Sequence, residues 1–321
     1  MSLCTAVVSS IGAAAALLLF AEIRPAGAEL CPELDADAVR AMAGWQVPGV
    51  ALGAVRDGRV VLRRTYGVRD TATGAQVTPQ TLFAVGSIAK SLTGLAVAIA
   101  AEERLLALDG EVRAFLPGFP EKVALRHLLS HTAGWPRHDA LWYLDAYGRR
   151  ELPDRLARLP RFAAPGAVFQ YNNVPFAAAG VALERATGRS WDVWVRRKIL
   201  DPAGMTDAVT GVSGFREAPD RASPYFPGDN GRIAIPLRDS DPVAPAAGLY
   251  AHLDDMLRYA SFLTGDGDGK VPATAVRTIR TPAAERYGLG LNLSTWRGRE
   301  MAYHPGVIDG YSARLTLLPT L

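Results

Sequence analysis

Ser87 and Lys90 stand three residues apart in the run FAVGSIAKSLTG, a spacing that brings two side chains onto one face of a helix. A hydroxyl becomes a nucleophile when a base lies within hydrogen-bond reach and backbone N–H groups await the oxyanion. The first turn of a helix supplies such N–H groups and a positive potential. The apolar residues around Lys90 predict burial, and burial and a helix N-terminus both disfavour an ammonium, so this lysine should accept a proton more readily than a solvated one. A serine capping the helix beside a solvated first-turn lysine would be spelled the same way. With 13 serines and four lysines, the spacing arises by chance in roughly one such chain in six, so the pair needs company.

Two further stretches could supply it. In PGAVFQYNN, Tyr171 and Asn173 follow a Pro-Gly turn two residues apart, and alternate side chains of an extended segment face the same way. A tyrosine beside a lysine can share its proton; a core tyrosine next to a turn asparagine is the plainer alternative. In AYHPGVIDGYS, His304 and Gly306 flank Pro305 in a predicted strand. Proline has no N–H for a sheet ladder, so the strand should run at an edge or a bulge, where a substrate can approach. If the side shared by the amides of residues 305 and 307 faces the cleft, the Val307 N–H is free to bind an oxyanion.

In order, SIAK, YNN and HPG resemble the S-x-x-K, Y-x-N and K/H-x-G motifs of the serine β-lactamase and penicillin-binding-protein superfamily. VPGVALGAVRDG, LRHLLSHTAGW, TGRSWDVWVRRKILDPAGM and PAAGLYAHLDDML resemble its class C, esterase and D-peptidase branch, so that the likeness covers nearly everything after residue 40. The resemblance implies that Ser87 forms an acyl-enzyme, that Lys90 and Tyr171 share general base and acid duty, and that Asn173 holds the lysine and the substrate amide. It implies an oxyanion hole made of the N–H groups of Ser87 and Val307, with no cofactor. His304 stands where β-lactamases usually carry lysine; an imidazole offers less fixed positive charge, so recognition of a substrate carboxylate should be weaker or pH-dependent. The expected partner is a small-molecule or peptide substrate: an ester, a D-amino-acid peptide or a β-lactam. A non-catalytic penicillin-binding or sensor protein, or an inactive truncated homologue, is the alternative.

These residues need a scaffold. VPGVALGAV and RVVLRRTYGV, joined through Asp57-Gly58, predict a β-hairpin after a short helix around residues 36–43. SIAKSLTGLAVAIAAEERLL predicts a long buried helix starting at or near Ser87. From about residue 112 to 245, short helices alternate with Pro, Gly and Asp, with little strand character. LYAHLDDMLRYASFL reads as one amphipathic helix, and LGLNLSTW, EMAYHPGV and GYSARLTLLP return to strand character. The fold class is therefore α/β (α+β): an antiparallel sheet from residues 29–111 and 246–321, flanked by helices and interrupted by a helical lobe at 112–245, the β-lactamase/transpeptidase-like arrangement that the resemblance also implies. In that fold two more strands and a helix follow the third motif, the last strand bridging the hairpin to the others. Here LTLLPTL closes the sequence, so a C-terminally truncated chain is expected, with residues 315–318 lacking a partner strand.

Of 321 residues 49% are hydrophobic and 21% charged, ordinary globular usage, and a dispersed net charge of +3 offers no basic face for nucleic acid. Residues 1–28 read as an export signal: no charge before Glu22, the run AAAALLLF, and Ala26-Gly27-Ala28 as the cleavage site. A periplasmic or secreted protein without an integral membrane span follows; an anchor of the uncleaved segment is the alternative. Cleavage would remove Cys4 and leave Cys31 as a single thiol, with no lipidation motif around it. His127 and His131 have the helical i, i+4 spacing of metal ligands but no third ligand, and a structural turn is expected there. Trp135, Trp142, Tyr143 and Tyr147 could form core or line a cleft.

Overall fold

The computed structural model describes residues 6–9, 32–144, 147–229 and 231–319. Its strands in chain order are β1 (Ala6–Ser9), β2 (Gly49–Arg56), β3 (Arg59–Gly67), β4 (Phe83–Ala84), β5 (Val209–Thr210), β6 (Tyr225–Gly228), β7 (Gly231–Ala234), β8 (Leu249–Ala251), β9 (Asn292–Trp296), β10 (Arg299–Ile308) and β11 (Tyr311–Leu317). Six of them make an antiparallel sheet in the order β3-β2-β1-β11-β10-β9. The β2–β3 hairpin turns through Asp57 and Gly58, both at positive φ as a tight two-residue turn demands. A three-stranded sheet, β4-β8-β5, and the β6–β7 hairpin complete the strands.

The helix Ala89–Glu102 runs through the centre, its residues buried from Ala89 to Ala100, and the helix Asn173–Thr187 packs beside it. Shorter helices, among them Leu125–Leu129, Ala140–Tyr143 and Leu152–Ala157, lie between β4 and β5 in the chain. One continuous hydrophobic core joins the central helices to the sheet.

Several expectations are refined. The central helix is preceded by a 3-10 turn, Gly86–Ile88, and Ser87 lies in that turn without capping the helix. The segment 249–263 divides: Leu249–Ala251 is strand β8, because its backbone pairs with β4 and β5, and only Leu253–Thr264 is helical, capped by the His252 side chain. The stretch 112–245 also carries the β6–β7 hairpin and β5.

The expectation that residues 315–318 lack a partner is corrected. β11 pairs with β10 on one side and with β1 on the other, and β1 in turn pairs with β2, so four residues of the N-terminal segment that reads as an export signal bridge hairpin and sheet. The rest of residues 1–28, with Cys4, the Ala26-Gly27-Ala28 site and the neighbouring Cys31, lies outside the described residues.

Candidate active site

Three separate stretches converge on the Ser87 hydroxyl. The Tyr171 phenol donates to Ser87 Oγ at 2.7 Å, and Lys90 Nζ lies 3.0 Å from the same oxygen. Lys90 Nζ also donates to Asn173 Oδ1 at 2.7 Å and to the Ala246 carbonyl at 3.0 Å. As an ammonium, Nζ donates to all three acceptors. Once one proton is lost, two N–H groups still serve the two carbonyls and the lone pair faces Ser87 Oγ.

Electrostatics favour that neutral amine. Burial drives the Lys90 pKa well below the ordinary lysine value, Asp139 opposes the shift and Arg137 adds to it. Burial pushes the Tyr171 phenol up to about 12, so at neutral pH it keeps its proton and acts as a donor. Ser87 is 9% exposed and Lys90 wholly enclosed.

The motif residues are positioned by local chain chemistry. Asn172, in extended backbone, caps the helix Asn173–Thr187 by accepting the Val174 N–H, which sets Asn173 in the first helical turn. Asn173 Nδ2 donates to Asp139 Oδ1 at 3.0 Å, fixing the amide so that its oxygen faces Lys90. Asp139 also receives the Trp142 indole N–H and the Arg137 guanidinium. Arg137 sits 5.8 Å from the Tyr171 ring centroid.

The third motif approaches from the sheet. β9 pairs with β10 only as far as Tyr303, whereas β11 pairs along its whole length to Ile308, so residues 304–308 are unpaired on one flank. Pro305 therefore sits in a half-free stretch of an internal strand, not in an edge strand, and the missing N–H disrupts no second ladder. Side chains at Gly86 or Gly306 would overlap Val307 and the Val85 carbonyl respectively, so this strand and the turn bearing Ser87 pack backbone against backbone. That proximity brings the Val307 main chain beside Ser87, while the Val307 side chain is 54% exposed.

His304 requires a correction. It was expected to face substrate as a partial cation, but it is 1% exposed and turned inward, with Nε2 3.0 Å from the Tyr287 phenol and Nδ1 2.6 Å from the Pro305 carbonyl. Burial, reinforced by Lys90, lowers its pKa to about 3, so no positive charge stands there at neutral pH.

The aromatic cluster divides as well. Trp135 and Trp142 belong to the core and Tyr147 packs against it. Tyr143 is half-exposed and donates to the Asp309 carboxylate, which also binds Arg238, so the β10–β11 turn is clasped to the helix Ala140–Tyr143. His127 and His131 are both engaged in hydrogen bonds to the chain: His127 Nδ1 accepts the Ala124 N–H and His131 Nδ1 the Asn172 N–H. Sequence reasoning missed Asp139, Tyr287 and the part played by His131; the polar residues of GWPRHD and RYGLGL carried no spacing signal, and only the segment LLSHTAGW pointed to a structured turn at His131.

A family model described as Beta-lactamase matches residues 34–320. The chain is 30% identical over 282 residues to a D-aminopeptidase from Brucella anthropi, covering 83% of this chain and 53% of that protein, or about half the relative's length. The octameric penicillin-binding protein homologue from Pyrococcus abyssi superposes with a TM-score of 0.79 at 23% identity, over 90% of this chain and 73% of that one. The D-alanine carboxypeptidase AmpC from Burkholderia cenocepacia gives a TM-score of 0.75 at 22% identity, covering 89% of each chain.

Proposed function

The chain belongs to the beta-lactamase family, and on that premise we propose that it is a serine hydrolase working through an acyl-enzyme on Ser87. The observation that carries this reading is the meeting of Lys90 Nζ and Tyr171 Oη on Ser87 Oγ, at 3.0 and 2.7 Å. In acylation the neutral Lys90 amine takes the Ser87 proton as Oγ bonds the substrate carbonyl carbon. The N–H groups of Ser87 and Val307 hold the resulting oxyanion. Collapse of the tetrahedral intermediate expels the leaving atom, which takes the Tyr171 proton. In deacylation, water gives its proton to the Tyr171 phenolate as its oxygen attacks the ester, and Lys90 returns a proton to Ser87 Oγ as the acyl bond breaks. Each group ends as it began.

The substrate class proposed is an ester or a peptide of D-amino acids. A buried, neutral His304 supplies no cation for the carboxylate that a β-lactam presents, which argues against β-lactams as the principal substrate. The relative from Brucella anthropi is a D-aminopeptidase, which agrees with this choice. Export to the periplasm or beyond, with residues 1–28 removed, is supported by the uncharged apolar N-terminal run; that cleavage would also take β1 out of the sheet and leave β11 without its partner on that flank. Among the described residues no helix is long and apolar enough to cross a membrane.

Treatment of the exported protein with a fluorophosphonate probe, followed by intact and peptide mass spectrometry, tests both readings. One adduct on Ser87, absent from Ser87→Ala, and a chain starting near Glu29 are expected. An adduct on another residue, or none, overturns the hydrolase; a labelled chain that keeps residues 1–28 overturns only the cleavage. A stoichiometric burst with no turnover on any ester or D-peptide would point instead to a penicillin-binding sensor.

A further inference from the structure

Behind the site lie three buried titratable rings that the reaction at Ser87 does not use. The Asn172 N–H donates to His131 Nδ1 at 3.2 Å; His131 Nε2 lies 3.2 Å from the Tyr287 phenol; the phenol lies 3.0 Å from His304 Nε2; and His304 Nδ1 lies 2.6 Å from the Pro305 carbonyl. His131, Tyr287 and His304 are each at most 1% exposed.

The two ends of this chain fix every proton in it. An amide N–H can only donate, so His131 Nδ1 is an acceptor and its proton resides on Nε2, which donates to the Tyr287 oxygen. A backbone carbonyl can only accept, so His304 carries its proton on Nδ1 and leaves Nε2 as an acceptor for the Tyr287 O–H. The phenol receives one bond and gives one. Each donor and acceptor named is used once, with both imidazoles neutral. A further proton on either ring would set two donors against one another, His131 Nδ1–H against the Asn172 N–H or His304 Nε2–H against the Tyr287 O–H, among groups at most 1% exposed.

The chain also spans the right points. Asn172 lies between Tyr171 and Asn173, and the His131 ring lies 4.3 Å, centroid to centroid, from the Tyr171 ring. His304 lies three residues before Val307 on β10. Tyr287 is held by its own segment, because a side chain at Gly290, at positive φ, would overlap the Lys90 carbonyl. The loop carrying the proton donor is thereby tied to the strand carrying the Val307 amide through one phenol oxygen.

We propose that His131, Tyr287 and His304 form a charge-neutral strut of fixed tautomers that holds Tyr171 and Asn173 in register with the Val307 amide. The inference rests on the serine-hydrolase reading of the site. Tyr287 and His131 are positioning residues, touching neither substrate nor the reacting atoms, and His304 works as a neutral acceptor. The charged and titratable groups facing the two imidazoles are Lys90 from the central helix, Arg137 and Tyr171 from the neighbouring loops, and each imidazole itself. Neutrality has a purpose here: a cation at either ring would oppose the positive charge that Lys90 acquires when it takes the serine proton.

Tyr287→Phe keeps the ring and deletes both central bonds, and His304→Gln keeps an acceptor for the phenol while removing any titration. For Tyr287→Phe we expect labelling of Ser87 by a fluorophosphonate to slow by about tenfold, the effect of one to two neutral hydrogen bonds, in the maximal rate and not in probe affinity. His304→Gln should stay within about threefold of wild type, and His304→Ala should fall to the level of Tyr287→Phe, with no further loss when the two are combined. Ring 15N NMR of the wild-type protein should show the Nε2–H tautomer for His131 and the Nδ1–H tautomer for His304 from pH 8 to pH 5. Opposite or charged forms, or a Tyr287→Phe protein labelled at the wild-type rate, would overturn the strut. If Ser87 is not labelled in wild type, the hydrolase reading fails, while the tautomers still decide whether the strut exists.

Discussion

Asp139 acts on Lys90 without touching it. Its carboxylate pins the Asn173 amide and raises the lysine's affinity for a proton against the stronger effect of burial. Asp139→Asn can still accept from Asn173 but removes the charge, so the Lys90 pKa should fall further. A base that must be neutral then becomes competent at lower pH, and the acid limb of the kcat/KM profile should move to lower pH with the shape retained. Asp139→Ala removes the anchor as well; loss of one hydrogen bond to a charged group, about 1.5–3 kcal/mol, corresponds to a decrease of about ten- to a hundredfold in kcat. A profile unmoved in both variants would show that the carboxylate serves only the fold around Trp142.

At the scale of elements, the close approach of β10 to the turn bearing Ser87 depends on Gly306, because the Val85 carbonyl occupies the space of a Cβ. Gly306→Ala should push strand and turn apart, cutting the rate of Ser87 acylation by more than about tenfold, the scale of losing one oxyanion donor, while hairpin β2–β3 and the central helix remain. Circular dichroism together with the labelling rate checks this. The same geometry explains what the sequence disclosed. Ser87 with Lys90, and Tyr171 with Asn173, were legible because each pair is local in the chain, lying within three residues across the junction of a turn or loop with the helix that follows it. The hairpin at Asp57-Gly58 was legible for the same reason. Asp139, Tyr287 and His131 were not, because their partners lie 34, 17 and 41 or more residues away and only the folded chain brings them together. His304 was set against substrate because the motif implies that place, whereas the fold turns its ring inward onto the Tyr287 phenol. Leu249–Ala251 was misread because apolar periodicity continues into the helix while the backbone finds strand partners in β4 and β5.

At the scale of the molecule, stability should follow the buried histidines. Both His131 and His304 have folded pKa values below the unfolded value of about 6.5, so the folded state binds fewer protons than the unfolded one in the window between. Their contribution is complete above pH 6.5 and is lost as pH falls toward about 3 for His304, at about 1.4 kcal/mol per pH unit for each ring. Asp255, whose carboxyl is raised by burial, opposes part of this just above the ordinary carboxylate range. Urea midpoints from pH 6.5 to 4.5 should therefore decline steeply, and His304→Gln should remove roughly half of the histidine slope. A flat profile would mean that neither ring resists protonation. The turn after β10 and the helix Ala140–Tyr143 come from distant parts of the chain, yet Asp309 fastens one to the other through Tyr143 and Arg238. A latch with a single anion at its centre thus joins the end of the strand that carries Val307 to the helix that follows Asp139, so that neutralising Asp309 would release both at once.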